Sequence, residues 1–204
     1  NGYLLIHLGM TGIIKFIAAV DSKNIDKHDH YQIQLQDNKI LKYNDVRKFG
    51  SIHWTKDIDN HFLIKNLGPE PLSKEFNGGF LKDKCRNRNV AIKNLIMNQS
   101  IIVGVGNIYA CEALYMSSIR PDKKCKYITL KQCDNLVKSI KYVLKKSIKS
   151  GGTTLKDFKT LDGSPGYFKQ KLMIYDCKVC KCGMKVKNIK LGGRSSFYCN
   201  VCQK

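Results

Sequence analysis

Residues 92–109 read Ile-Lys-Asn-Leu-Ile-Met-Asn-Gln-Ser-Ile-Ile-Val-Gly-Val-Gly-Asn-Ile-Tyr. The apolar spacing over residues 90–97 predicts a helix that ends near Gln99, and two turns follow it. Gly104-x-Gly106-Asn107 then opens a second helix over residues 108–116. Glycine at such a junction allows close backbone approach, and the first N–H groups of a helix face outward as a cradle for an anion. Lys93 and Asn107 flank the junction, where both can grip one phosphate. The glycine pair also suits an ordinary tight helix–helix connection, so this stretch alone specifies helix, two turns, helix, and no ligand.

Toward the C-terminus, Leu136, Ile140, Val143, Leu144 and Ile148 recur at helical spacing and mark one face of a lysine-studded helix. Gly151-Gly152 stops it. Residues 153–172 contain Gly163-Ser164-Pro165-Gly166 and read as a mobile loop. Beyond it, Cys177-x2-Cys180, 18 intervening residues and Cys199-x2-Cys202 match the spacing of a four-cysteine zinc site. A tail this short has little core, so metal binding would supply most of its folding energy, on the order of 10 kcal/mol or more. Cys182-Gly183 also resembles half of a zinc knuckle, which makes Cys182 an alternative to Cys180; the intact pair Cys177 and Cys180 is favoured. Residues 177–204 carry seven basic side chains and no acidic one. Arg194 falls at the expected hairpin tip, where a planar guanidinium can fork across phosphates or base edges.

Toward the N-terminus, Leu67-Gly68-Pro69-Glu70-Pro71-Leu72 places two prolines around a Glu, which excludes a helix interior or a central strand and predicts a stiff linker. Helical pattern resumes after it at Phe76 and Phe80-Leu81. Before it the chain reads as β. Residues 3–8, 13–17 and 51–54 are short apolar strand candidates. Tyr31, Ile33 and Leu35 alternate with Gln32 and Gln34, and Asp37-Asn38 offers a turn, so residues 31–43 form a hairpin. The chain opens Asn1-Gly2-Tyr3-Leu4, without Met and inside a strand-like run, as expected of a cut chain.

Charge narrows the function. Lys+Arg 36 against Asp+Glu 16 gives a formal net charge of +20, which makes a polyanion the default partner through counterion release. A lysine-rich solvated surface would look alike in composition. No run of about 18 apolar residues exists to span a membrane. Four cysteines are scattered singly, which fits a reducing cytosol.

Six ordered stretches besides the opening one carry a specific likeness. They are HLGMTG (7–12), DVRKFG (45–50), LGPEPL (67–72), GGTTLKDF (151–158), DGSPGYF (162–168) and GGRSSFYCNVCQ (192–203). With residues 93–121, including GVGNIYACEAL, they closely resemble the formamidopyrimidine-DNA glycosylases and the related endonuclease VIII enzymes. The resemblance implies an α+β fold. Residues 1–66 would be the remnant of an N-terminal β-sandwich and 67–72 the linker. Residues 73–172 would form a helix–two-turn–helix DNA-binding domain with a lesion-capping loop, and 173–204 a four-cysteine zinc-finger hairpin.

The implied activity is base-excision repair of damaged double-stranded DNA. It would be a bifunctional DNA glycosylase/AP lyase for oxidised purines such as 8-oxoguanine and formamidopyrimidines, monomeric and cytoplasmic, with one structural Zn²⁺. In the family, Met10, Arg47 and Phe49 would fill the hole left by a flipped base. Lys93, Asn107 and Arg194 would clamp phosphates, Tyr167 and Phe168 would cover the base, and Tyr109 and Glu112 would support the helix. Family chemistry uses an N-terminal proline amine, assisted by a Glu and a Lys. None has a counterpart here, because the family's N-terminal segment that carries them is expected to lie upstream of Asn1; the prolines present (Pro69, Pro71, Pro121, Pro165) are internal. No catalytic residue is therefore assigned, and the chain as given is expected to lack glycosylase and lyase activity. Asn98 and Arg120 depart from the family's usual acidic residue and His, and the finger is rearranged around residues 177–182. Competing readings are a non-catalytic zinc-dependent DNA-binding module, an endonuclease VIII-type pyrimidine-lesion glycosylase, and an RNA-binding zinc ribbon. The Arg47-Lys48-Phe49 run and the long 153–168 loop favour purines.

Overall fold

The computed structural model describes residues 1–18, 25–152 and 172–204. They divide into two compact units, one containing Asn1–Lys65 and the other containing Asn66–Lys149 with the C-terminal residues. The mixed helix-and-sheet expectation holds.

In the first unit, β1 (Tyr3–His7) pairs antiparallel with β5 (Ser51–Thr55), Tyr3 standing opposite Thr55. A second antiparallel sheet has β4 (Lys39–Asp45) between β2 (Gly12–Ala18) and β3 (Asp29–Gln34). The β3–β4 hairpin turns through Asn38, which adopts the left-handed conformation (φ 51°) that its short polar side chain tolerates, and Leu35 N donates to Lys39 O at 2.8 Å. On central β4 Ile40, Tyr43 and Asp45 are buried, as is Lys42, whose amine meets Asp29 at 2.9 Å. The strands read from alternation are all present, with ends that differ by at most two residues.

The second unit is helical. Asn77 Oδ1 accepts Phe80 N at 2.9 Å and caps α1 (Gly78–Cys85). Short α2 (Ile92–Ile96) and α3 (Asn107–Met116) follow, then α4 (Leu130–Lys149). Thr129 and Gln132 cap α4 reciprocally, Gln132 N donating to Thr129 Oγ1 (3.2 Å) and Thr129 N to Gln132 Oε1 (3.1 Å). Helix α4 packs on α1 and α3. Phe76, Leu81, Ile92, Ile96, Leu114, Ile128, Leu136 and Ile140 are fully enclosed, each worth about 1.5–3 kcal/mol of burial.

One expected core residue is corrected. Ile148 is 68% exposed, and Ser147 is buried in its place and bonds Tyr109 OH at 2.8 Å. At roughly 100° per residue, Ser147 lies near the middle of the Leu136–Ile140–Val143 stripe and Ile148 lies a further step around the helix. The linker is packed rather than free. Gly68 N donates to Gln99 O at 2.7 Å, and a Cβ on Gly68 would sit 2.5 Å from the Ile101 carbonyl.

The tail forms a hairpin of β6 (Lys187–Leu191) and β7 (Arg194–Tyr198). It turns through Gly192-Gly193, both at positive φ (54° and 76°), the combination a two-residue type I′ turn demands. Cys199 N donates to Gln203 Oε1 and Gln203 Nε2 to Ile119 O, which ties the tail to the exit of α3. Among the described residues no helix is long and apolar enough to cross a membrane.

Candidate nucleic-acid interface

The opening stretch folds as helix, two turns, helix. Gly104 takes φ 73° in the link, and Gly106 stands at the N-cap of α3 with open space where a Cβ would be. The N-cap glycine has no side chain to cap α3 and no acidic residue lies in the first turn, so the positive end of the helix is not neutralised from within its own first turn.

Lys93 is fully buried beside this end. Its amine donates to Asn107 Oδ1 (2.5 Å), Ser196 Oγ (2.6 Å) and Ser195 O (3.1 Å). Asn107 Nδ2 donates to the same Ser195 carbonyl at 3.1 Å. The expected pair is thus brought together, and β7 joins it. Arg194 begins β7 and is exposed. Burial pushes the Lys93 amine below the ordinary lysine range, the Arg194 charge adds to that, and the neighbouring Cys111 thiol opposes it. A buried lysine thus stands behind the N-terminus of α3, with the exposed Arg194 beside it.

In the first unit, Met10 is 78% exposed and Phe49 62% exposed. Neither is packed into the core of the described residues. The Arg47 guanidinium lies over the Phe49 ring, 5.2 Å from its centroid. Asp45, which sequence reasoning passed over, is buried behind them and accepts from Thr11 Oγ1, Tyr43 OH, Gly50 N and Arg47 N. Burial opposes its charge, but these donors outweigh it and hold the carboxyl well below the usual carboxylate range. Tyr43 is driven the other way, to about 12, by burial and by its bond to Asp45.

Glu112 supports α3 as expected, by accepting Met173 N (2.8 Å), Ile174 N (2.9 Å) and Tyr175 N (2.9 Å) from fully buried carboxylate oxygens. Arg120 makes a bidentate pair with Asp122 and stacks over Tyr198. Tyr167, Phe168 and the rest of 153–171 lie outside the described residues.

The cysteine register differs from the expected one. The sulfurs of Cys180, Cys182, Cys199 and Cys202 all lie within 4.8 Å of one another. Cys177 is not among them; its thiol faces Tyr175 O at 3.8 Å. Both Cys180 and Cys182 belong, so they are not alternatives. The cause is a tight turn: Gly183 N donates to Cys180 O, Cys180 N to Met184 O, and Gly183 takes φ 84°, which curls Cys182 back beside Cys180. Thiolates bonded at about 2.3 Å to a tetrahedral zinc stand about 3.8 Å apart. Here Cys180–Cys202 is 3.8 Å and Cys182–Cys199 is 3.6 Å. Although burial resists it, bonds from the Cys182 backbone, Tyr115 OH and neighbouring thiols pull Cys180 down to about 6, toward the thiolate a metal needs. The four cysteines can hold a metal ion.

The chain is similar to known proteins in sequence and in fold. Residues 1–52 match the model for the formamidopyrimidine-DNA glycosylase N-terminal domain, and residues 67–159 match that for the formamidopyrimidine-DNA glycosylase H2TH domain. The formamidopyrimidine-DNA glycosylase of Glaesserella parasuis is 50% identical over 207 residues, spanning 100% of this chain and 76% of that protein. That of Salmonella arizonae is 45% identical over 209 residues, with the same coverage. Among solved structures, the Lactococcus lactis Fpg in complex with abasic-site DNA superposes with a TM-score of 0.87 at 33% identity, covering 98% of this chain and 74% of that one. The Thermus thermophilus MutM (Fpg) protein gives 0.87 at 30% identity, covering 98% and 75%. With half of its residues shared with one such relative along its whole length, with both domain models matching in order and with the fold superposing, the chain belongs to the formamidopyrimidine-DNA glycosylase family.

Proposed function

We propose that the complete protein works in base-excision repair as a DNA glycosylase and AP lyase for oxidised purines, and that this chain, to which no catalytic nucleophile is assigned, holds the damaged duplex through the residues described above. The observation that carries the reading is the exposure of Met10 on a tight turn and of Phe49 on the 47–49 loop, with Arg47 stacked over the Phe49 ring. Large apolar side chains presented this way suit insertion into a base stack, where an extruded nucleotide leaves a gap. Lys93, Asn107 and the open end of α3 supply a phosphate site, and Arg194 adds a second cation to it. The Lactococcus lactis relative captured on Fapy-dG DNA supports the purine assignment, and the one captured on abasic-site DNA supports damaged-duplex binding.

One structural Zn²⁺ would be held by Cys180, Cys182, Cys199 and Cys202. When bound it cross-links the base of the hairpin. Tyr115 OH, 3.2 Å from Cys180 Sγ, steadies that sulfur from α3, and the hairpin in turn presents Arg194 and the Ser195 carbonyl to Lys93 and Asn107.

The test is fluorescence anisotropy with duplexes that contain or lack a tetrahydrofuran abasic analogue, before and after zinc chelation. Zinc-dependent preference for the lesion duplex is expected. Equal and steeply salt-dependent binding to both duplexes would reduce the interface to a generic basic surface.

A further inference from the structure

We propose that Asp45 is the positioning residue that locks the Met10 turn and the residue 47–49 loop into one preformed wedge, an inference that rests on the wedge reading above. The two segments are far apart in sequence and meet at a single carboxylate. Asp45 Oδ1 accepts Thr11 Oγ1 at 2.5 Å and Arg47 N at 3.3 Å. Its Oδ2 accepts Gly50 N at 2.9 Å and Tyr43 OH at 3.0 Å. Thr11 Oγ1 also accepts Arg47 N, at 3.2 Å, so the residue after Met10 is bonded to the start of the loop. The Asp45 carbonyl faces His30 Nε2 at 2.8 Å, which fixes its backbone from β3.

The backbones of the two turns touch. Gly12 N donates to Leu8 O at 2.9 Å and closes the Met10 turn. Gly9 has φ 61°, and a Cβ there would lie 2.9 Å from the Phe49 carbonyl carbon. A Cβ on Gly50 would fall 1.8 Å from Tyr43 OH. Between the two backbone N–H groups held by Asp45, Lys48 adopts φ 57°, a left-handed conformation that a non-glycine residue keeps only where its surroundings enforce it.

Asp45 has no accessible surface and acts only through the turns. Its role is to remove the freedom of the backbone that carries Met10, Arg47 and Phe49 before DNA arrives, so that insertion does not have to order two loops. Thr11 is the second member of the same device, because among the described residues its hydroxyl links the Met10 turn to the carboxylate.

The experiment uses the full chain and a duplex with 2-aminopurine opposite a tetrahydrofuran site, beside an undamaged duplex. Asp45→Asn keeps the shape and halves the acceptor capacity, Thr11→Val removes one link isosterically, and Met10→Ala serves as the wedge control. Asp45→Asn and Thr11→Val are each expected to lower the preference for the lesion duplex about tenfold, the size of one lost charge-assisted hydrogen bond. They should also reduce the 2-aminopurine signal, which a defect in phosphate binding would not move, while affinity for undamaged duplex holds. The double variant should lose little more than either single one, since both cut the same link. If Met10→Ala lowers the preference while Thr11→Val and Asp45→Asn leave preference and fluorescence unchanged, the positioning role is wrong and the wedge reading survives. If Met10→Ala changes neither, both fall.

Discussion

The Lys93 amine lies 2.5 Å from Asn107 Oδ1 across the two-turn link, and the strand that carries Arg194 closes over the pair. All three protons of the ammonium are directed at protein oxygens, so the lysine serves first as a charged post that orients Asn107 and β7. Its charge still reaches a phosphate at the α3 terminus, because the surroundings are poorly screened. Lys93→Met should therefore weaken binding to lesion and undamaged duplex alike and reduce the slope of log K against log salt by about one. An unchanged slope, measured by anisotropy over a range of sodium chloride, would remove Lys93 from the phosphate site.

Metal stoichiometry separates the two cysteine registers. Serine at Cys180, Cys182, Cys199 or Cys202 should each lower bound zinc and melt the hairpin, whereas Cys177→Ser should leave a full equivalent of zinc in place. Metal release after thiol titration is the direct measurement. Loss of zinc from Cys177→Ser with retention in Cys182→Ser would restore the Cys-x2-Cys pairing.

What the sequence disclosed follows from how local each signal is. The strands and α4 were legible because alternation and helical spacing are set by neighbours within a turn, whereas the hairpin tip expected at Arg194 falls instead on Gly192-Gly193, and Arg194 opens the strand after it. Thr129-x-x-Gln132 was equally local, and the capping-box pattern could have found it. The cysteine register was misjudged because counting Cys-x2-Cys ignores what Gly183 at positive φ does to the chain after Cys180. Asp45 was invisible for a different reason. Its partner Thr11 is 34 positions away, and no periodicity links an acid at a strand end to a hydroxyl in another turn. The enclosure of Lys93 was hidden likewise, since two of its acceptors come from residues 195 and 196, more than 100 positions away.

Glu112 gives a stability prediction. Its two oxygens accept three successive backbone N–H groups at the point where the chain returns to α3. Glu112→Gln keeps the volume but turns a donor toward those donors, at a cost of about 1–3 kcal/mol. Urea unfolding should register that loss. Amide exchange should quicken at residues 173–175 before it does in α4, and uniform exchange with unaltered stability would show that the three bonds hold nothing.

Asp45 gives the pH dependence. Its pKa in the folded protein lies below that of the unfolded chain, where an aspartate titrates near about 3.9. The unfolded state therefore binds this proton first as pH falls. The stabilisation from the Asp45 bonds is complete above the unfolded value and is lost progressively as pH drops below it toward the folded value. Comparing the parent chain with Asp45→Asn by urea unfolding isolates the effect. The stability gap between them should be constant from neutral pH down to about pH 5 and should narrow steadily below about pH 4. A gap that stays constant into strong acid would mean that the Asp45 contribution comes from packing and not from its charge.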